Sequence, residues 1–142
     1  MHFIPYLTFD GNCREAMEFY ARTLRADIES MFTFAGTPAE EYVKPEARGQ
    51  LMHSSLALKG QTILMASDAG GMPYEKPRGM SVSIVMDDTS EAERIFAALS
   101  GGGSVTMPLE KTFWAERFGM CVDRYGTPWM INSGMPVEAK AS

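Results

Sequence analysis

An acid and a base, Glu116 and Arg117, directly follow Phe113-Trp114 in the stretch KTFWAERFGMCVDRYGTPWMIN, Lys111–Asn132. In an apolar pocket the Glu116 carboxyl would be desolvated. Its pKa would rise, and it could act as a general acid or base. Arg117 placed there would clamp the paired oxygens of a carboxylate or phosphonate. The competing reading is a surface ion pair worth under about 1 kcal/mol. Both readings stay open, the ion pair slightly ahead for Arg117. Trp114 lies in a loop, which suits a pocket wall or a subunit interface. Trp129 lies among apolar strand neighbours, which suits core packing. His53 is the one strand histidine. It is read as a hydrogen-bonded core or pocket residue, or as a metal ligand partnered by Glu116. Strand alternation offers Ser55, Met65 and Ser67 to a cleft on the same side. Cys13 sits near a helix N-terminus, which lowers a thiol pKa, yet no base or oxyanion site accompanies it, so its role is structural. Cys121 is expected to be buried in a strand.

These residues need a frame, and the chain supplies enough material for one. It has 142 residues, a net charge of −5, 12 Met and 2 Cys. That suits one domain or two small fused modules with a self-sufficient core. The acidic balance and the lack of a basic stripe argue against nucleic acid as a partner. No apolar run is long enough to span a bilayer and no charged-then-apolar leader opens the chain. Two Cys make no disulfide framework, so a reduced, cytoplasmic setting is expected. Met fills irregular cores and lines adaptable surfaces.

Taken in order, Ile4–Phe9 reads as a strand and Asp10-Gly11-Asn12 as a turn. Asn12 with Glu15 forms a capping-box-like helix start. Ala16, Phe19, Tyr20 and Leu24 share one helical face. Asp27–Phe34 reads as a strand, and 35–50 as a long loop with a helical turn near 39–43 and a candidate lid. Leu51–Leu58 and Gln61–Ala66 flank Lys59-Gly60 as a hairpin. Residues 68–79, rich in Gly and Pro, read as a linker. The pattern then restarts with a strand at Met80–Met86, a helix opened by Asp88 and Glu91, and a stop at Gly101-Gly102-Gly103. A strand at Val105–Leu109 and a second hairpin around Tyr125-Gly126 follow. Residues 134–142 read as a tail.

Setting Asn12 over Asp88 places Ala16 on Ala92, Phe19 on Ile95, Tyr20 on Phe96 and Thr23 on Leu99. Setting Gly60 over Gly126 aligns the hairpins. Each half is therefore β-α-β-β-β: module one about 3–67, module two about 80–133. One such unit leaves a sheet face uncovered, at about 25 cal/mol per Å² of apolar surface. Two units can curl their mixed sheets around a shared cleft, an α+β arrangement.

This pattern resembles the vicinal oxygen chelate superfamily, the glyoxalase/bleomycin-resistance/dihydroxybiphenyl dioxygenase fold. PYLTFDGNCREAMEFY (5–20), LMASD (64–68), TFWAERFG (112–119) and YGTPWMIN (125–132) resemble blocks of its PhnB-like family. The resemblance implies paired βαβββ modules, usually a homodimer, with a concave site in each sheet. Superfamily enzymes hold a divalent ion on the inner sheet faces as a Lewis acid. The corresponding positions here hold Pro5, Ser81, Leu64 and Met130, none a hard-metal ligand, so no metal and no cofactor are expected. PhnB-like proteins often carry a ubiquinone-precursor methyltransferase label, but no glycine-rich turn here both follows a first strand and opens a helix.

The resulting expectation is a homodimer with a small organic ligand in a cleft lined by aromatic residues and Met. His53, Trp114 and Glu116 are expected to meet around that cavity, with Ser55, Met65 and Arg117 in ligand contact. Two rivals are a metal-dependent lyase, isomerase or dioxygenase using His53 and Glu116, and a binding protein that sequesters a drug without chemistry.

Overall fold

A computed structural model describes residues 1–134, and the expected tail lies almost wholly outside them. The chain divides into two compact units, Met1–Glu75 and Lys76–Ser142. Each is built as β-α-β-β-β, as the internal repeat predicts.

In the first unit, β1 (Tyr6–Phe9) leads into α1 (Cys13–Leu24) and then β2 (Asp27–Thr33), β3 (Leu51–Leu58) and β4 (Gln61–Asp68). The strands form one mixed sheet in the order β1-β4-β3-β2, with β1 parallel to β4. Cys13, Ala16, Met17 and Tyr20 bury the inner stripe of α1 against Leu7, Phe9, Leu56, Leu64 and Ala66 of the sheet. The other sheet face has no helix in this unit. The loop at 35–50 holds two short 3-10 turns, Pro38–Tyr42 and Pro45–Ala47.

The second unit repeats the plan with β5 (Val82–Met86), α2 (Thr89–Ser100), β6 (Ser104–Glu110), β7 (Arg117–Val122) and β8 (Pro128–Ser133). Its order is β5-β8-β7-β6, again with the first and last strands parallel. Ala92, Ile95, Phe96 and Leu99 are buried, the four helix positions that the repeat sets over Ala16, Phe19, Tyr20 and Thr23. Trp129 is 1% exposed and donates from Nε1 to Asp123 Oδ2 at 2.8 Å, which makes it core. Gly119 faces α2. A Cβ there would stand 2.9 Å from both the Leu109 Cα and the Phe96 ring, so the helix can dock only on a bare backbone.

One of the two helix starts differs from the sequence expectation. Asp88 does cap α2, accepting from Glu91 N at 3.1 Å. Asn12 makes no side-chain cap bond to α1. Asp68, at the far end of β4, takes that role. Its Oδ1 accepts from Gly11 N (2.8 Å) and Cys13 N (3.0 Å), and its Oδ2 accepts from Leu51 N (2.8 Å). A carboxylate reaching in from a neighbouring strand satisfies the exposed helix N–H groups better than the local amide. At the end of α2 the left-handed residue is Gly102 (φ 77), one place later than the cap residue Gly101. No helix is long and apolar enough to cross a membrane among the described residues.

Candidate functional site

Among the described residues each unit leaves one sheet face without a helix, and alternation decides what it displays. On β3, Ser54 and Leu56 point to the α1 side, so His53 and Ser55 point to the open face. Met65 is the cross-strand partner of Ser55 and shares that face, as do Tyr6 and Phe32. Tyr6 Oη lies 3.1 Å from His53 Nδ1, and both the Tyr6 and Phe32 rings lie within 6 Å of the imidazole, at 5.8 and 5.9 Å. Beside them is a hydroxyl-carboxylate cluster. Ser55 Oγ and Thr62 Oγ1 donate to Glu29 Oε2 at 3.1 and 2.7 Å, and Ser30 Oγ lies 2.8 Å from Ser55 Oγ. A register irregularity between Ile28 and Ser30 sets Glu29 alongside Ser55. His53, Ser55 and Met65 thus lie on one surface of the first unit. Glu29 escaped the sequence reading because a bulge, not a residue type, places it there.

On the second sheet, Gly119 and Cys121 of β7 and Trp129, Ile131 and Ser133 of β8 are buried on the α2 side. Phe118, Met120 and Val122, with Pro128, Met130 and Asn132, form the open face. Trp114 stands edge-on to Phe118 with ring centroids 5.2 Å apart, and Phe113 edge-on to Trp114 at 4.8 Å. Thr112 Oγ1 fixes this loop by accepting from the backbone N–H of Trp114 and Ala115. Further along the same face is an open hollow of about 500 Å³. Its lining includes Met80, Ser81, Thr106, Met120, Pro128 and Met130.

The remaining predicted residues are placed as follows. Arg117 Nε is 3.2 Å from Glu93 Oε1 of α2, on the helix side of the sheet and not on its open face. Glu116 is exposed, with its backbone N–H bonded to Gly134 O at 3.0 Å. His53 belongs to the first unit, Trp114 and Glu116 to the second. Both cysteines are fully buried thiols. Burial pushes Cys13 up to about 12 despite its helix terminus and its contact with Ser54, and burial pushes Cys121 up to about 11. Desolvation outweighs the helix field, so Cys13 is no nucleophile.

The positions that carry a superfamily metal do not fit one here. Ser81 and Met130 line the hollow of the second sheet, offering a hydroxyl and a thioether. Pro5 has no donor side chain. Leu64 points into the core beneath α1, and its open-face neighbour is Met65, because the strand register of the first unit runs one residue out of step with the second. Among the described residues no three His, Cys, Asp or Glu cluster closely enough to grip an ion. The turn between β1 and α1 does not fit a nucleotide-type cofactor either. A hollow of about 330 Å³ lies there, but the Asp68 carboxylate already takes the amide N–H groups of Gly11 and Cys13.

Residues 1–132 match the family described as 3-demethylubiquinone-9 3-methyltransferase. The chain belongs to that family. Among its relatives is protein YjdN of Escherichia coli, 35% identical over 138 residues, 90% of this chain and 92% of YjdN. Protein PA1353 from Pseudomonas aeruginosa has a crystal structure that superposes with a TM-score of 0.84 at 43% identity, covering 94% of this chain and 97% of that one. The PhnB protein from Bacillus cereus gives 0.76 at 24% identity, over 94% and 99%. A glyoxalase/bleomycin resistance protein/dioxygenase family enzyme from Burkholderia phytofirmans gives 0.60 at 10% identity, over 92% and 97%, which shows a common fold. The PhnB-like chain thus has the glyoxalase/bleomycin-resistance fold with its ion-holding positions refilled by Pro, Ser, Leu and Met.

Proposed function

We propose that this PhnB-like protein binds a small, largely apolar organic molecule on the open face of its second sheet, without a metal ion. The observation that carries the reading is the hollow of about 500 Å³ among Met80, Met120, Met130 and Pro128, with Ser81 and Thr106 as its hydroxyls. That size lies within the usual range for small-molecule sites. Flexible thioethers adapt to a ligand's outline, and two hydroxyls suffice to orient it. The open face of the first sheet, with His53, Ser55 and Met65, is a separate candidate contact surface within its own unit.

The protein is further read as a cytoplasmic homodimer. Two buried thiols, neither in a disulfide, suit a reducing compartment. Phe3 and Phe113 are large apolar side chains left almost wholly exposed, and a second copy would cover such surface.

A thermal-shift screen of small aromatic and alicyclic compounds tests the binding site. Ligands at about 100 times their Kd should stabilise the wild type by roughly 2.7 kcal/mol. Met130→Trp fills the hollow and should abolish the shift. Equal shifts in wild type and variant would refute the site. Elemental analysis of purified protein addresses the metal. Stoichiometric Zn, Ni, Mn or Fe would instead support a metal-dependent lyase, isomerase or dioxygenase.

A further inference from the structure

Two buried polar atoms of the second sheet have no hydrogen-bond partner among the described residues: Ser133 Oγ, under α2, and Asn132 Oδ1. Of the two, Asn132 Oδ1 is the one outside the α2 side; it is closed off from water and has no hydrogen-bond partner among the described residues. Asn132 lies on β8 between Ile131 and Ser133, both fully buried on the α2 side, so its side chain belongs to the open face. Directly across the ladder is Phe118, which holds the Trp114 ring edge-on at 5.2 Å. One step along the same two strands come Met130 and Met120, which line the hollow. A buried carbonyl acceptor without a donor costs stability, and an aliphatic side chain of similar size would avoid that cost. An acceptor kept in that condition beside an aromatic pair and an apolar hollow is explained if a ligand brings the donor.

We propose that Asn132 is the polar anchor of the site proposed above, on which this inference rests. The ligand is a planar aromatic molecule bearing an O–H or N–H group. Its ring lies against Phe118 and Trp114, its donor reaches Asn132 Oδ1, and its remainder extends over Met120 and Met130. Glu110 is the cross-strand partner of Phe118 on β6 and repels an anion, so the ligand is neutral or cationic.

Phenol and anisole form the test pair, since methylation removes the donor and leaves the ring. They are titrated into full-length protein labelled at side-chain amides and Met methyls, and followed by NMR. Wild type should bind phenol roughly tenfold more tightly than anisole, as one buried hydrogen bond gained would give. The Asn132 amide and the Met130 methyl should both shift. Asn132→Leu should bring the two affinities together while the ligand-free protein melts at the same temperature or a few degrees higher. Asn132→Ala serves in the same role if the leucine variant does not fold. A phenol preference that survives in the variant overturns the anchor. If both compounds bind wild type equally and move Met120 and Met130, the anchor falls while the site stands. If millimolar phenol moves none of these resonances, the binding site itself falls and the anchor with it.

Discussion

Removing the Asp68 carboxylate should damage the first unit far more than removing the residue at the helix start. Asp68 is 4% exposed and accepts three backbone N–H groups, from Gly11, Cys13 and Leu51. In Asp68→Ala all three donors lose their partner. Gly11 lies at a part-buried turn and can recruit water, but the N–H groups of Cys13 and Leu51 are buried. Two orphaned buried donors at about 1–3 kcal/mol each, with some loss at the third, give roughly 3–5 kcal/mol. That is a large part of the stability of a small domain, about 5–15 kcal/mol. Asn12→Ala should change stability by less than about 0.5 kcal/mol, because Asn12 caps nothing. Asp88→Ala removes one exposed cap bond in the second unit and should cost about 1 kcal/mol. Urea unfolding followed by circular dichroism measures all three. With a slope of about 1–3 kcal/mol per molar urea, Asp68→Ala should move the midpoint by roughly 2 M and Asn12→Ala by almost nothing. Amide exchange at Cys13 and Leu51 should speed up in Asp68→Ala alone. If Asn12→Ala matched Asp68→Ala, or if Asp68→Ala cost under about 1 kcal/mol, the cross-strand cap would be refuted.

Three further outcomes follow from the structure. Burial holds the Cys13 and Cys121 thiols at about 12 and about 11, against 9.0 for an open thiol. The unfolded chain therefore releases protons that the folded chain keeps. Stability is full below pH 9 and falls as pH climbs toward 11 and 12, by about 1.4 kcal/mol per pH unit for each thiol. Urea midpoints at rising pH should show this slope, and Cys13→Ala with Cys121→Ala should flatten it. Gly119→Ala puts a methyl 2.9 Å from the Leu109 Cα and the Phe96 ring, and should cost about 1–3 kcal/mol in a thermal melt. Analytical sedimentation at micromolar concentration should show a dimer, and a monomer alone would end that part of the proposal.

The repeat was legible because helix faces and hairpins are local patterns. The period of 3.6 finds Ala16 and Tyr20, then Ala92, Ile95 and Phe96, wherever the sheets lie, while Phe19 and Leu24 stay half-exposed at the edge of the α1 stripe. Strand alternation likewise groups Ser55 with Met65, which are cross-strand partners. What stayed hidden depends on register between distant strands. Leu64 sits where counting from the hairpin glycine expects an open-face residue, but the ladder turns it beneath α1 and offers Met65 instead. The bulge that sets Glu29 beside Ser55 has no residue signature. The helix start of α1 misled for a related reason. Asn12 with Glu15 has the right spacing, yet Asp68, 55 residues beyond Cys13, reaches its amide first. An Asp closing the strand LMASD, after Leu, Met, Ala and Ser, was the available sign, since a carboxylate buried at a strand end must find donors. At Cys13 the helix field was visible in the sequence and the stronger desolvation was not. Of the two readings open for Arg117, the ion pair is the one present, with Glu93 of α2, on the helix side of the sheet and away from the open face where ligand contact is expected.

The most direct test of the central claim is the methyl NMR spectrum of Met-labelled protein, recorded with a bound aromatic ligand and again with one equivalent of Mn²⁺. The refilled positions predict that the ligand shifts Met80, Met120 and Met130 while the ion leaves those lines sharp. Selective broadening of the Met120 and Met130 methyls by stoichiometric Mn²⁺, with no response to any organic ligand, would contradict it.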